Sequence, residues 1–380
     1  MAESNGSRPP AVFAAPLRYI QGEGALHSLG DELSRLKSER PLILVDPGVK
    51  DALAPQLESQ SDATLVDFRG EVSPGEIDRV AAAAQEAGAD VIVGVGGGKT
   101  LDTAKAVAHP AELALVLVPT IASTDAPTSA VSVVYEDDGG FLEYRFWGRN
   151  PDVVLIDTGV IARAPVRFLV AGIGDGLSTF FEADTSSQTR QPTMAGGPPL
   201  VAATTLARLC YDTLLADGVA ARQAVEQQIV TPALDRVVEA NTLLSGLGFE
   251  SGGLAAAHSI HNGLTALHET HEYWHGEKVA IGVLGLLVLE GKPQALIDEV
   301  VDFCLRVGLP VTLSDIGVEA DAETLGPVAE LACAEGETIH NEPFPVTPAM
   351  VVAAMRSADA IGATRRRLLE RTQELPVVCA

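Results

Sequence analysis

Between residues 41 and 157, short runs rich in valine, isoleucine and leucine alternate with alanine-rich stretches that favour helices. The runs are almost entirely apolar, which is typical of strands that are covered on both faces. Strands of this kind, separated by helices, predict an α/β domain built on a parallel sheet. The predicted strands are residues 41–46, 63–68, 90–96, 113–120 and 152–157.

The connection between the second and third runs, SPGEIDRVAAAAQEAG, is predicted to be a helix with its own end signals. Ser73 is a candidate N-cap, Pro74 suits the first helical position, and Glu76 could complete a capping box. Gly88 would end this helix.

The two halves of the chain differ in their patterns. Residues 129–147, SAVSVVYEDDGGFLEYRFW, predict two strands joined by a turn at residues 137–140, a hairpin appended to the sheet. After about residue 165 the apolar residues recur every three or four positions, which indicates helices. We therefore predict a cleft between two domains, a favoured place for a ligand site. The predicted division is a flexible tail over residues 1–12, an α/β domain over 13–164 and an all-helical domain over 165–380.

The net charge of −25 would repel nucleic acid and anionic lipid, so we expect neither as a partner. The four cysteines are scattered and form no CxxC pair, which is typical of reduced thiols. The amino terminus has no basic start followed by a long apolar block, and the apolar residues 279–291 are too few to span a bilayer. These features predict a cytoplasmic protein and leave enzyme chemistry on small molecules open.

Residues 90–109, DVIVGVGGGKTLDTAKAVAH, predict a strand, a glycine turn and a helix. The P-loop spacing fails because Val93 stands five residues before Gly98. The dinucleotide spacing G-x-G-x-x-G fails because Lys99 stands where its last glycine is needed. The first amides of a helix still lack partners, and the helix dipole favours negative charge. The stretch therefore predicts a phosphate-binding turn of a third kind.

Five of the eight histidines fall within residues 255–275, AAAHSIHNGLTALHETHEYWH. His258 and His261 are three apart, on one face of a predicted helix, and His275 follows an aromatic loop. One interpretation is a polar helix face with solvated histidines. The other is a divalent-metal site completed by Asp175, which stands between glycines at a predicted helix start. Two imidazoles and one carboxylate with an open position suit a catalytic metal.

Residues 119–130, PTIASTDAPTSA, follow a predicted strand and place several hydroxyls around Asp125. This pattern is typical of a turn closed by its own side chains. It also lies at the carboxyl end of a parallel strand, where ligands bind in such sheets. Asp46 ends the first predicted strand and could accept bonds from both ribose hydroxyls of NAD, or it could simply be solvated.

In combination and order, these motifs resemble the glycerol dehydrogenases of the iron-containing, or group III, alcohol dehydrogenase superfamily. The resemblance runs from YIQGEGAL at residue 19 to ACAEGETIHN ending at residue 341. It implies a Rossmann-like amino-terminal domain and an all-α carboxy-terminal domain, the dehydroquinate synthase-like fold, commonly assembled as an octamer. It also implies NAD-dependent, zinc-assisted hydride transfer that oxidises glycerol to dihydroxyacetone.

The resemblance also implies roles for individual residues. Asp175, His258 and His275 match the three zinc ligands, and Asp125 matches a contact to a substrate hydroxyl. His261 and His271 match no assigned position, and we expect them behind the site or at the surface. The residues that match NAD contacts are Asp46, Gly97, Gly98, Lys99, Thr120, Ser123, Ser129, Val131 and Tyr135.

Thr179 departs from the wider superfamily, because iron-dependent relatives carry a second histidine ligand at this position. Three protein ligands suit zinc and a polyol.

The related 3-dehydroquinate synthase has glutamate in place of Asp175 and needs basic residues for a phosphate, and no such cluster is seen near these motifs. The alternatives are a sibling dehydrogenase for another small diol or hydroxyketone and a catalytically silent NAD-binding regulator. The complete ligand set argues against the regulator.

Overall fold

The computed structural model describes residues 9–136 and 140–373. Residues 1–8 of the predicted tail, residues 137–139 of the predicted turn, and Cys379 lie outside this part. Residues 9–12 are exposed and irregular. The strands are β1 (Arg18–Gly22), β2 (Pro41–Val45), β3 (Thr64–Asp67), β4 (Val91–Gly96), β5 (Ala114–Pro119), β6 (Val131–Tyr135), β7 (Phe141–Phe146) and β8 (Val153–Asp157).

Six of these strands form one parallel sheet in the order β1-β8-β5-β4-β2-β3. The five strands predicted from apolar runs are confirmed, and their observed ends agree with the predicted ones to within one residue. The sequence prediction missed β1, which pairs with β8 at the edge of the sheet. Its residues are only partly buried, so the apolar signal is weak there.

The strand order places β2 and β4 side by side, with later strands added on opposite sides of this pair. In open α/β sheets, ligands bind outside the carboxyl ends of the strands at such a point of reversal. Asp46 follows β2, and its amide donates to the carbonyl of Val95 in β4 at 2.9 Å. Gly97 follows β4. The fold therefore brings the predicted ribose and phosphate contacts together at the carboxyl ends of β2 and β4.

The helices of the amino-terminal half cover the sheet. The helix predicted after Ser73 is present, and the Ser73 side chain caps it by accepting from the Glu76 amide at 3.4 Å. Glu76 does not complete a capping box; its carboxylate instead accepts from the Arg69 amide and pairs with Arg79. Gly88 ends the helix in the left-handed conformation, as predicted. These helices are α1 (Leu29–Arg35), α2 (Pro47–Glu58), α3 (Pro74–Ala87), α4 (Gly98–Ala108) and α5 (Thr158–Arg163).

The predicted hairpin is formed by β6 and β7, but it is a separate two-stranded antiparallel sheet and not an extension of the large one. It is attached to α4 by side chains. Ser132 Oγ donates to the Asp102 carbonyl at 3.0 Å, and the Val133 amide donates to Asp102 Oδ2 at 3.0 Å.

From residue 158 to residue 373 the described chain contains helices and loops and no strand, as predicted. Ala122, Val154 and Ile156 of the sheet half belong to the same buried cluster as the helical half. The division into domains at residue 164 remains a prediction. No helix in the part of the chain that the structure describes is long and apolar enough to cross a membrane. The helices are α6 (Val166–Thr189), α7 (Val201–Glu226), α8 (Pro232–Glu239), α9 (Ser245–Gly252), α10 (Ala256–Leu264), α11 (His275–Leu289), α12 (Gln294–Val307), α13 (Ala322–Ala332) and α14 (Pro348–Gln373).

Candidate active site

Asp175 lies inside the long helix α6, so the predicted helix start at this position is wrong. The neighbouring glycines serve close packing of α6, not a change of chain direction. A Cβ at Gly174 would lie 2.3 Å from the Gly276 carbonyl oxygen, and one at Gly172 would lie 1.9 Å from the Ala122 carbonyl oxygen. Asp175 itself is 1% exposed, in the interior where α6 meets α11.

His258 lies in the first turn of α10 and is oriented by Glu182 of α6. Glu182 Oε2 lies 2.6 Å from His258 Nδ1, while Oε1 accepts from the His258 amide at 3.0 Å and the Ala255 amide at 2.9 Å. Although burial opposes its ionisation, His258 holds the pKa of Glu182 below its usual value. An ionised carboxylate at Nδ1 fixes the proton there, so Nε2 is left free to bind a metal.

His275 is the first residue of α11. Glu277 holds this helix start, because its carboxylate accepts from the Trp274 amide at 2.8 Å and pairs with Arg167 at 2.7 Å. The next residue is glycine because α11 runs against α6: a Cβ at Gly276 would lie 1.7 Å from the Ala171 carbonyl oxygen. This close approach brings His275 beside Asp175.

Asp175, His258 and His275 form a cluster that fits a metal ion. One ligand atom from each lies within 4.8 Å of the others. Asp175 Oδ1 is buried and makes no hydrogen bond, yet it lies 3.2 Å from His275 Nε2 and 3.6 Å from His258 Nε2. Two ligands of a tetrahedral ion with bonds of about 2.1 Å lie about 3.4 Å apart. The orphaned oxygen and the two ring nitrogens therefore have the spacing of a ligand set.

Asp125 lies directly beside this cluster. Its amide donates to Asp175 Oδ2 at 3.2 Å, and its carboxylate oxygen Oδ2 accepts from Ser245 Oγ at 2.7 Å. Burial, followed by the charge of Asp175, holds the pKa of Asp125 well above its usual value. A cation held by Asp175 would offset this repulsion.

The glycine turn lies at the carboxyl end of β4, with Gly97 as the N-cap of α4 and Gly98 as its first residue. No side chain caps the first turn of this helix. A Cβ at Gly97 would lie 2.9 Å from Ile121 Cδ1, so a larger residue would fill the turn. Bare amides at a helix start suit a phosphate group. Lys99 Nζ pairs with Glu71 at 2.6 Å and lies 5.1 Å from the centroid of the Tyr135 ring.

The other predicted NAD contacts lie in three segments of the amino-terminal half. Asp46 caps α2, since its Oδ1 accepts from the Gly48 amide at 2.8 Å. Thr120 and Ser123 lie in the loop after β5 and are buried. Ser129 is buried too, and its hydroxyl donates to the Ala126 carbonyl at 3.2 Å within its own turn, while Val131 and Tyr135 are the ends of β6.

The two histidines without an assigned role, His261 and His271, lie in different environments. His271 is exposed, with Nε2 3.1 Å from the Thr265 carbonyl oxygen. His261 is buried, and its ring packs edge-on against that of His275 at a centroid distance of 4.2 Å. Burial and the neighbouring His275 hold the pKa of His261 well below its usual value. His261 therefore forms part of the wall behind His275.

Comparison with known proteins assigns the chain to a family. Residues 16–158 match the iron-containing alcohol dehydrogenase family. The glycerol dehydrogenase of Thermotoga maritima is 55% identical to the chain over 358 residues, which cover 93% of this chain and 98% of that protein. The chain belongs to the iron-containing alcohol dehydrogenase family. The predicted family is thereby confirmed, and the protein is an oxidoreductase.

Two further relatives of this family member span nearly its full length. The glycolaldehyde reductase of Halobacterium salinarum is 50% identical, over 95% of this chain and 100% of that protein. The crystal structure of a probable glycerol dehydrogenase from Sinorhizobium meliloti matches with a TM-score of 0.89 and 46% identity, and covers 93% of this chain and 100% of that chain. The predicted fold class is confirmed by this match.

Sequence reasoning missed three buried polar residues that support the site of this alcohol dehydrogenase family member. Glu182 follows Asp175 by seven residues, so the helical repeat places it on the same face of α6 two turns later, a signal that could have found it. Lys105 stands three residues after Asp102 in α4, a spacing that places both side chains on one helix face and is also a visible signal. Ser245 carries no such signal in the sequence.

Glu182→Gln should weaken metal binding about 10- to 100-fold, because the amide cannot stabilise the Nδ1–H of His258 as the carboxylate does. Competition with a chromophoric chelator would measure the metal affinity. Glu250→Gln is the matched control, since Glu250 is also buried and accepts from the Ala130 amide and Asn150. Equal metal affinity in Glu182→Gln and Glu250→Gln would show that Glu182 does not orient the ligand.

Proposed function

We propose that the protein is an NAD- and zinc-dependent glycerol dehydrogenase that oxidises glycerol reversibly to dihydroxyacetone. The observation that carries this proposal is the cluster of Asp175, His258 and His275, whose carboxylate lies within hydrogen-bond distance of the Asp125 amide. The relative from Thermotoga maritima, a glycerol dehydrogenase at 55% identity, supports the choice of substrate.

In this proposal Asp175, His258 and His275 hold the zinc ion, and three protein ligands leave an open position. The ion supplies a Lewis acid that lowers the pKa of a bound hydroxyl. His275 has an exposed side, with 37% of its side chain accessible, whereas Asp175 is enclosed. The cluster is therefore open to solvent on the His275 side, where a small polyol could reach the ligand residues.

The edge formed by Asp46, Gly97 and Gly98 binds NAD, the hydride acceptor. The Gly97 and Gly98 amides receive the pyrophosphate, and Asp46 accepts from the adenosine ribose. Lys99, beside Tyr135, adds a positive charge at the same edge. The remaining predicted contacts, Thr120, Ser123, Ser129, Val131 and Tyr135, would line the bound dinucleotide.

Asp125 binds the substrate in this proposal. Its Oδ2 is occupied by Ser245, and no donor among the described residues reaches Oδ1. A hydroxyl of glycerol can donate to Oδ1 while the polyol lies against the ligand cluster. This contact holds the carbon that loses hydride in a single orientation, which lowers the entropic cost of the transfer.

A second candidate function is the reduction of a small hydroxyaldehyde, favoured by the 50% identity to the glycolaldehyde reductase. The test compares kcat/KM for glycerol and dihydroxyacetone with that for ethylene glycol and glycolaldehyde, using zinc-reconstituted protein. We expect the glycerol pair to be preferred by at least about tenfold, or about 1.4 kcal/mol. A preference for glycolaldehyde would favour the second candidate, and no turnover of either pair would contradict both.

We expect NAD to be preferred over NADP by at least about tenfold, because a carboxylate at Asp46 repels a 2′-phosphate. Asp46→Ser should make kcat/KM for the two cofactors nearly equal, mainly because NAD binds more weakly. Serine keeps an oxygen that can cap α2, so the variant removes the charge and not the cap. Steady-state kinetics with both cofactors measures the ratio, and an unchanged ratio in Asp46→Ser would remove the role given to this residue.

The assembly and the cellular location are also proposals. By resemblance we propose a homo-oligomer, an octamer, in the cytoplasm, with neither nucleic acid nor membrane as a partner. Light scattering after size-exclusion chromatography would measure the mass of the assembly, and a monomer would contradict it.

A further inference from the structure

Asp125 is held by a helix that contains a π-turn. α8 and α9 continue into each other through the π-helical residues Ala240–Leu244, and Ser245 is the first residue after this turn. A π-turn inserts an extra residue into a helix and is frequent at functional sites. Here the turn also binds the loop that carries Asp125, because Thr128 Oγ1 donates to the Thr242 carbonyl at 2.9 Å.

The hydroxyl of Ser245 donates to Asp125 Oδ2 at 2.7 Å. The same oxygen lies 2.7 Å from Thr179 Oγ1. A serine hydroxyl has one proton, and Ser245 gives it to the carboxylate, so Thr179 must donate to Ser245. Both residues are buried, at 0% exposure for Ser245 and 1% for Thr179. The three side chains form a one-directional chain that ends at Asp125.

We propose that Ser245 and Thr179 are positioning residues that orient the Asp125 carboxylate for the substrate. Consecutive hydrogen bonds polarise one another, so the bond from Thr179 strengthens the bond from Ser245 to Asp125 Oδ2. By holding Oδ2, Ser245 fixes the orientation of the Asp125 carboxylate and leaves Oδ1 for the substrate. This inference rests on the proposed function, in which Oδ1 accepts from a glycerol hydroxyl.

The test is Ser245→Ala together with two substitutions at Thr179. Ser245→Ala should raise KM for glycerol about tenfold or more, with a smaller effect on kcat, because a bond that orients the binding group is lost. Thr179→Val removes the hydroxyl at constant shape and should raise KM in the same direction. Thr179→Ser keeps the hydroxyl and loses the methyl, so it should retain the native KM. If packing rather than the hydroxyl mattered, Thr179→Ser would be impaired and Thr179→Val would not, which overturns the proposal.

Ser186→Ala is the matched control, since Ser186 is also buried in α6 and donates to the Leu254 carbonyl at 2.9 Å. Its KM for glycerol should be unchanged. If Ser245 acts only through Asp125, adding Ser245→Ala to Asp125→Ala should not raise KM further. If Ser245 were merely structural, the second substitution would raise KM in the Asp125→Ala variant as well. Native glycerol kinetics in Asp125→Ala itself would overturn the role of Asp125 in the proposed function. An impaired Asp125→Ala with a native Ser245→Ala would overturn only the present inference.

Discussion

His275→Ala should lower kcat/KM for glycerol by at least about 1000-fold, or about 4 kcal/mol, because a metal held by two ligands loses both its affinity and its fixed position. Chelation of the native protein should have the same effect, and added zinc should restore the native protein but not the variant. NAD affinity should change little in either case, because the glycine turn presents backbone amides. Kinetics, fluorescence titration of NAD and elemental analysis measure these three quantities.

His268→Ala is the control for this prediction, since His268 is an exposed histidine of the same segment and lies outside the ligand cluster. Its kinetics and metal content should be native. Verified metal-free protein that oxidises glycerol at full rate would contradict the proposed site. Asp175, His258 and His275 would then form a structural cluster and not a catalytic metal site.

Metal affinity should also fall as the pH is lowered. Burial opposes protonation of His258, but Glu182 and Asp175 outweigh it and hold its pKa well above the usual value before a metal binds. The ion must displace that proton, so each decrease in pH below this pKa favours the protonated, metal-free form.

Lys105→Met should lower the free energy of unfolding by about 3–5 kcal/mol, because it leaves a buried charge without its partner. Lys105 is 0% exposed, and its Nζ donates to Asp102 Oδ1 at 3.1 Å, the Ala126 carbonyl at 2.6 Å and the Val131 carbonyl at 2.8 Å. It thus joins α4, which begins at the glycine turn, to the loop of Asp125 and to β6. Chemical denaturation measures the loss.

Adding Asp102→Asn to Lys105→Met should restore part of the lost free energy of unfolding, because it removes the unpaired charge. The destabilisation caused by Lys105→Met should also be smaller at lower pH. Burial raises the pKa of Asp102 even with Lys105 present, and protonation of Asp102 removes the cost of its unpaired charge. Lys50→Met is the matched control, because Lys50 pairs with Asp67 at the surface and such pairs contribute about 1 kcal/mol or less. A loss in Lys105→Met as small as that in Lys50→Met would show that the buried ammonium does not hold the loop.

The strands with continuous apolar runs and the ends of α3 could be predicted because their causes are local. A buried parallel strand needs a continuous apolar run, and a helix end needs a capping residue within a few positions. Ser73 and Gly88 supply such ends for α3. The residue types of the metal cluster were also visible in the sequence, as a group of histidines within residues 255–275 and a glycine-flanked aspartate at position 175.

The local setting of Asp175 was misjudged for a physical reason. Glycines are used both at helix starts and where two helices approach closely, and the sequence does not distinguish these uses. Only the packing of α6 against α11 and against the loop of Ala122 shows that the glycines around Asp175 serve close approach. In the same way, the pattern of the hairpin predicted two strands but not that they pair only with each other.

The sequence by itself determined the elements, their order and the residue types available for chemistry. Tertiary structure alone decided which side chains meet. Glu182 contacts His258 across 76 residues, and Ser245 contacts Asp125 across 120 residues. A hydrogen bond requires two atoms to lie within about 3 Å in a defined direction, and that placement depends on how whole helices pack. Apolar periodicity is a property of neighbours along the chain, whereas the partners of a buried polar group are chosen by the fold.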